Sequence, residues 1–218
     1  MIRNTSVHDL ELVAGDASLD LANTMSPRFG DRSQDHLRSY QDLLVWVLRA
    51  GELSAAEAAR LAKLARVDSA AASGALARIK GLREAIYAVF SAVAENQARP
   101  AEAFERLREA VDRAGRHRVL HPLREGGARW AWQDEPADLG AIGDHLAWGA
   151  AELLVDPARL ARIKECPGEN CGWLFVDTTK NAGRMWCSSR DCGNRSKIHR
   201  YRQRQAAFAE RSRSGRAG

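Results

Sequence analysis

Cys166, Cys171, Cys187 and Cys192 are the only cysteines in the chain, and all four lie in its last third. Each pair encloses four residues and the pairs are fifteen residues apart. Two close pairs at that separation fit a closed tetrahedral zinc site, with thiolates about 2.3 Å from the metal. An iron–sulfur cluster and four ordinary thiols are the alternatives. In a reducing compartment disulfides are disfavoured, and thiols gathered into one short segment point to metal. Four protein thiolates leave no coordination position for water, so one zinc here is structural rather than catalytic. Pro167-Gly168 suits a tight turn inside the first pair. Gly172, directly after Cys171, lets the backbone fold so that amides face the sulfurs.

A basic segment follows the last cysteine, running from Asn194 to Phe208. At 100° per residue Asn194, Ile198, Tyr201, Gln205 and Phe208 share one stripe, expected to pack on the hairpin read over residues 173–187. Lys197, Arg200, Arg204 and Arg211 lie on one side of it, and Arg195, His199 and Arg202 on the other. No acidic residue occurs between Asp191 and Glu210, which separates this run from an ordinary solvated helix face. Arg195, Lys197, Arg200, Arg202 and Arg204 are the candidate nucleic-acid contacts, since Arg and Lys neutralise phosphates and Arg also bridges the guanine edge. For Arg195 a second role is equally open, hydrogen bonding to the metal-site sulfurs. Trp173 and Trp186 suit either base stacking or the core of so small a unit.

The elements that must position these residues are mainly helical. Ser54 and Glu57 form a capping box for a helix through Ala58, Leu61 and Leu64. Asp35 is read as the cap of a helix through Leu37, Tyr40 and Leu44 that Gly51 stops. A longer helix fits Leu76, Ile79, Leu82, Ile86, Val89 and Phe90, Pro100 opens another, and a further helix follows Pro136. Residues 117–123 and 129–132, joined by Glu125-Gly126-Gly127, read as a β-hairpin. Residues 1–34 read as irregular apart from Leu19-Asp20-Leu21-Ala22-Asn23-Thr24. In the finger, 173–177 and 185–187 read as a hairpin, with Ser188 or Ser189 capping the helix that carries Cys192 in its first turn.

Charge divides the same way. From Lys164 onward twelve Lys and Arg stand against five Asp and Glu, a local +7 in a chain of net +5, which leaves residues 1–163 at −2. No apolar run approaches the length of a membrane span or a signal peptide, which points to a cytoplasmic protein with reduced thiols. The division expected is 1–160, a mainly helical domain that folds alone; 161–210, a zinc finger; and 211–218, a disordered tail.

Cys166 through Arg204 resembles the CGNR zinc finger, named for the tetrapeptide that stands here as Cys192-Gly193-Asn194-Arg195. Leu19-Asp20-Leu21-Ala22-Asn23-Thr24 resembles the signature near the start of ABATE domains. The resemblance implies a mainly α, hairpin-containing N-terminal domain joined to a treble-clef finger, in a stress-induced transcription regulator that binds DNA. Asp20, Asn23 and Thr24 are then either ligand-binding residues of a sensor pocket or structural caps. A small-molecule ligand and a homodimer join DNA as candidate partners. A finger that binds another protein is the alternative. An enzyme is the weaker one: His117 and His121 have zincin spacing without the required Glu, and no nucleotide loop or nucleophile elbow occurs.

Overall fold

The computed structural model describes residues 6–133 and 138–214, so Pro136, expected to precede a helix, lies outside the described residues. The chain forms α1 (Ala17–Ala22), α2 (Tyr40–Ala50), α3 (Ala55–Val67), α4 (Ser69–Ala94), α5 (Ala101–Gly115), α6 (Ala141–Val155), α7 (Pro157–Leu160) and α8 (Asn194–Ser214). Between them lie three antiparallel strand pairs: β1 (Met25–Ser26) with β2 (Gln34–Asp35), β3 (Arg118–Pro122) with β4 (Ala128–Trp132), and β5 (Ile163–Glu165) with β6 (Leu174–Val176). Among the described residues no helix is long and apolar enough to cross a membrane.

Local chemistry accounts for the element ends. Ser54 Oγ accepts from Glu57 N and the Glu57 carboxylate accepts from Ser54 N, the reciprocal box expected there. Gly51 ends α2 with a left-handed φ of 76°, which a side chain would resist. Asp35 does not cap α2. Ser39 does, boxed with Asp42, while Asp35 lies on β2 and turns to Arg83. The reason is that Ser39 and Asp42 hold the three-residue capping spacing directly before Tyr40, whereas Asp35 is claimed by a buried cation. The segment read as irregular carries α1, capped by Asp16, whose side chain accepts from Ser18 N.

Helix α4 is the central element, burying Ala72, Ala75, Leu76, Ile79, Leu82, Ile86, Val89 and Phe90 on one face. Within that face stands one ion, Arg83, 2% exposed. Its Nη1 and Nη2 reach the two Asp35 carboxylate oxygens at 2.8 and 3.1 Å, Nη1 also donates to Thr24 Oγ1 at 3.2 Å, and Nε donates to Glu84 at 2.8 Å. Burial pushes the Asp35 carboxyl up, but Arg83 and Lys80 outweigh it and hold it at about 2.

The main core does not stop at residue 160. Ile163, Leu174 and Val176 of the β5–β6 pair belong to the same buried cluster as Leu19, Leu21, Ile86, Leu146 and Leu153. Val176 N donates to Ala14 O, and Arg28 N and Phe29 N donate to the carbonyls of Cys171 and Asn170. The boundary near residue 160 is therefore a boundary in sequence across which one apolar core continues.

Candidate metal centre and basic helix

The first cysteine pair sits where β5 turns into β6. Cys166 N donates to Trp173 O and Cys171 N to Gly168 O, closing the knuckle. A Cβ on Gly168 would lie 3.0 Å from the Cys192 sulfur, and one on Gly172, whose φ is +62°, would collide with the Phe29 ring. Glycine at these positions thus allows the knuckle to approach both the metal site and the 28–29 segment. In the second pair Cys187 directly precedes Ser188, which caps the helical turn Ser189–Gly193 through Asp191 N, and Cys192 stands inside that turn, as expected. The return limb 185–187 forms no strand; the strand partner of β6 is β5, whose register pairs Ile163 with Val176.

All four sulfurs lie within 4.8 Å of one another and all four residues are buried. Cys171 Sγ to Cys187 Sγ and Cys187 Sγ to Cys192 Sγ are both 3.6 Å. A tetrahedron with metal–sulfur bonds of about 2.3 Å has edges of about 3.8 Å, whereas a disulfide requires about 2.05 Å. The spacing is that of ligands round an ion. Without a cation the thiols compete for protons: hydrogen bonds from Cys171, Cys187 and Cys192 hold Cys166 far below the usual thiol range, while contact with Cys166 pushes Cys171 and Cys187 far above it. A divalent ion removes the conflict by charging all four. The residues fit one structural zinc, and no coordination position is left for chemistry at the metal.

A polar network missing from the sequence reading holds the loop between β6 and the second pair. Asp177, buried, accepts from Lys164 Nζ at 2.7 Å, Arg184 N at 2.8 Å and both Thr179 N and Oγ1. Burial alone would raise its carboxyl, but these donors hold it well below the usual range. Arg184 stacks 4.3 Å over the Phe175 ring and donates to the carbonyls of Trp186, Cys187 and Val13. It thereby ties the metal site to the segment before α1. The legible signal was an arginine next to the apolar Met185-Trp186, where a solvated cation gains nothing.

Asp20, Asn23 and Thr24 are buried, at 8%, 3% and 0% exposure. Asp20 Oδ1 accepts from Val13 N and Ala14 N, both at 3.0 Å. The Asn23 amide donates to Leu174 O and accepts from Leu174 N, both at 2.9 Å, acting as a strand partner for β6. Thr24 Oγ1 donates to Leu21 O and accepts from Arg83. The signature thus joins α1 to the finger and to α4. A cleft of about 400 Å³ is lined by Leu10, Pro27 and His36 together with Trp173, Cys187 and Arg195, and Asp20, Asn23 and Thr24 are not in its lining.

Burial is the largest influence on the Asp20 carboxyl and pushes it up to about 6, against two backbone donors that lower it. Because the folded value lies above the unfolded one, the protonated acid stabilises the fold, and that contribution fades as pH rises through about 6. Asp20→Asn keeps an acceptor for Val13 and Ala14 without the charge. Between pH 5 and 8 the parent should lose about 1 kcal/mol more stability than this variant in urea unfolding. Identical pH profiles for the two proteins would contradict the assignment.

Helix α8 begins directly after the turn that carries Cys192. Arg195 Nη2 donates to Cys192 Sγ and to Asp191, both at 3.2 Å, which satisfies the sulfur-supporting role expected as one of its two readings. Beyond that turn, Lys197, Arg200, Arg202 and Arg204 are exposed. The stripe expected to pack on a hairpin does not: Ile198 is 43% exposed and Tyr201 63%. Among the described residues no return strand forms to cover it. The side chains of Phe208 and Arg211 lie outside the described residues, and the helix continues to Ser214, into the segment read as a tail. Ala206, Ala207, Ala209, Glu210 and Arg211 favour helix on the approach to that segment.

Two family models match consecutive stretches of the chain, ABATE first and the CGNR zinc finger after it. The CGNR zinc finger covers residues 162–205, including all four cysteines and the first half of α8. The ABATE family, described as "Putative stress-induced transcription regulator", covers residues 15–157, from just before α1 to the start of α7. Neither is an enzyme family. No curated protein matches the chain. With the ABATE match spanning most of its length and the four-cysteine finger behind it, this chain belongs to the ABATE family and ends in a CGNR zinc finger.

Proposed function

We propose that this protein is a cytoplasmic, DNA-binding transcription regulator in which one zinc fixes the base of α8 and α8 docks on duplex DNA. The observation that carries the reading is α8 itself: four exposed cations, Lys197, Arg200, Arg202 and Arg204, on a helix whose first turn includes the zinc ligand Cys192's support, Arg195. A run of cations without interleaved carboxylates is matched by a polyanion. Docking a rigid helix also costs less ordering entropy than docking a free tail.

The test is fluorescence anisotropy of a random duplex over about 50–200 mM salt. Neutralising about four phosphates gives a slope of log affinity on log salt of about −3 to −4. Arg200→Ala with Arg204→Ala should flatten it by about two units and leave zinc content unchanged. Arg195→Ala should instead lower zinc retention, because its guanidinium is engaged with Cys192 and Asp191. Weak, salt-insensitive binding to every duplex would point to a finger that contacts protein.

The helical domain is proposed to act as the sensor-like part. Support comes from the cleft of about 400 Å³, which has the zinc-site residues Cys171, Cys187 and Cys192 in one wall. The same wall holds Trp173, whose Nε1 is buried without a hydrogen-bond partner among the described residues. A small molecule seated there would touch both units at once, and the Asn23–Leu174 hydrogen bonds would carry a shift of α1 into β6.

A further inference from the structure

The DNA reading explains the cations of α8 but not the residues between them. Ile198, Tyr201 and Gln205 fall within an arc of about 60° on the helix, given 100° per residue. All three are exposed. Lys197 and Arg204 lie on one flank and Arg195 and Arg202 on the other, each about 70–90° from the centre of the arc. The apolar pair sits in the middle of the cationic surface, where solvation of the charges would be easiest if nothing covered it.

The 4-3-4 spacing of Asn194, Ile198, Tyr201 and Gln205 is also that of a coiled-coil seam, so a second copy of α8 is the obvious rival occupant. In such a pair the flanking positions, Arg195, Lys197, Arg202 and Arg204, would face their own copies, and like charges there repel. A polyanion meets both flanks favourably. A helix seated in the major groove places its outer rows on the phosphates of the two strands and its centre on base edges. The centre here carries two apolar side chains and one primary amide. Apolar groups contact the thymine methyl, and Gln pairs bidentately with adenine N6 and N7. Both belong to the same base pair.

We infer that Ile198, Tyr201 and Gln205 are the base-reading face of α8, selecting A·T pairs through thymine methyls and the adenine major-groove edge. The inference rests on the proposal that α8 binds DNA.

To test it, the zinc-loaded full-length protein enriches short duplexes from a random pool, and the enriched duplex is titrated by anisotropy beside the same duplex with uracil replacing thymine. Affinity should fall about fourfold for each contacted methyl removed. Ile198→Ala and Tyr201→Ala should abolish the thymine–uracil difference while preserving zinc content and the salt slope, and Gln205→Ala should relax the choice of adenine at one position. Equal affinity for the thymine and uracil duplexes, with a full salt slope, overturns the inference and leaves DNA binding standing. Loss of a sedimenting dimer in Ile198→Ala, with thymine dependence intact, overturns it by assigning the face to a second copy. Retention of no duplex at all removes the DNA reading and this one with it.

Discussion

Replacing any one of Cys166, Cys171, Cys187 or Cys192 by Ser should release the zinc, unfold the finger and lower the melting temperature of the entire chain. Structural zinc sites contribute apparent binding energies of about 10–16 kcal/mol to folding. The finger's own buried cluster is small, comprising the four cysteines and Phe175 with Val13, Trp173 and Trp186 against it, so little else holds the second pair in place. The damage should spread because Ile163, Leu174 and Val176 lie in the main core and Asn23 hydrogen-bonds to Leu174. Metal analysis and thermal melts with and without a chelator check this. A Ser variant that keeps one zinc per chain and melts as the parent does would contradict it.

Arg83→Ala should destabilise the protein by about 3–5 kcal/mol, since it leaves the Asp35 charge partly buried beside Lys80 alone. At this chain length that is a melting shift of about 10 °C. Arg83→Met combined with Asp35→Asn should cost clearly less than Arg83→Ala, because the double change removes the stranded charge with its partner. The pair also predicts acid sensitivity. The folded Asp35 carboxyl lies below its unfolded value, so its contribution is complete above about pH 4 and is lost as pH falls through about 2. Urea unfolding of both variants measures the difference, and equal losses in the single and double variants would show that the ion pair is not the cause.

Features decided within a few residues were legible in the amino-acid order. The Ser54–Glu57 box, the Gly51 stop, the β3–β4 hairpin and the two cysteine pairs each depend on a local spacing, and each stands where that spacing placed it. What escaped depends on distant partners. Asn23 and Thr24 were ambiguous because each has a partner far along the chain, Leu174 at 151 residues and Arg83 at 59, whereas Asp20 folds back on Val13 N and Ala14 N just before α1. Arg83 interrupts the apolar face of α4, yet nothing near it in sequence names Asp35 as its counterion. Periodicity groups Ile198 and Tyr201 on one face of α8, yet both are exposed and the cover expected for them is not there among the described residues. That cover was assigned to a return strand that the Lys164–Asp177–Arg184 network replaces.

The central claim is that zinc makes a cationic segment into a DNA-docking helix, and the most direct measurement is duplex binding by one preparation before chelation, after chelation and after zinc is restored. At about 50 mM salt, where phosphate contacts are strong, the zinc-loaded chain should bind a short duplex, lose most of that affinity with the metal and recover it with zinc. A metal-free chain that binds with the same affinity and the same salt slope would contradict the account, because the cations of α8 would then act as an unstructured basic tail.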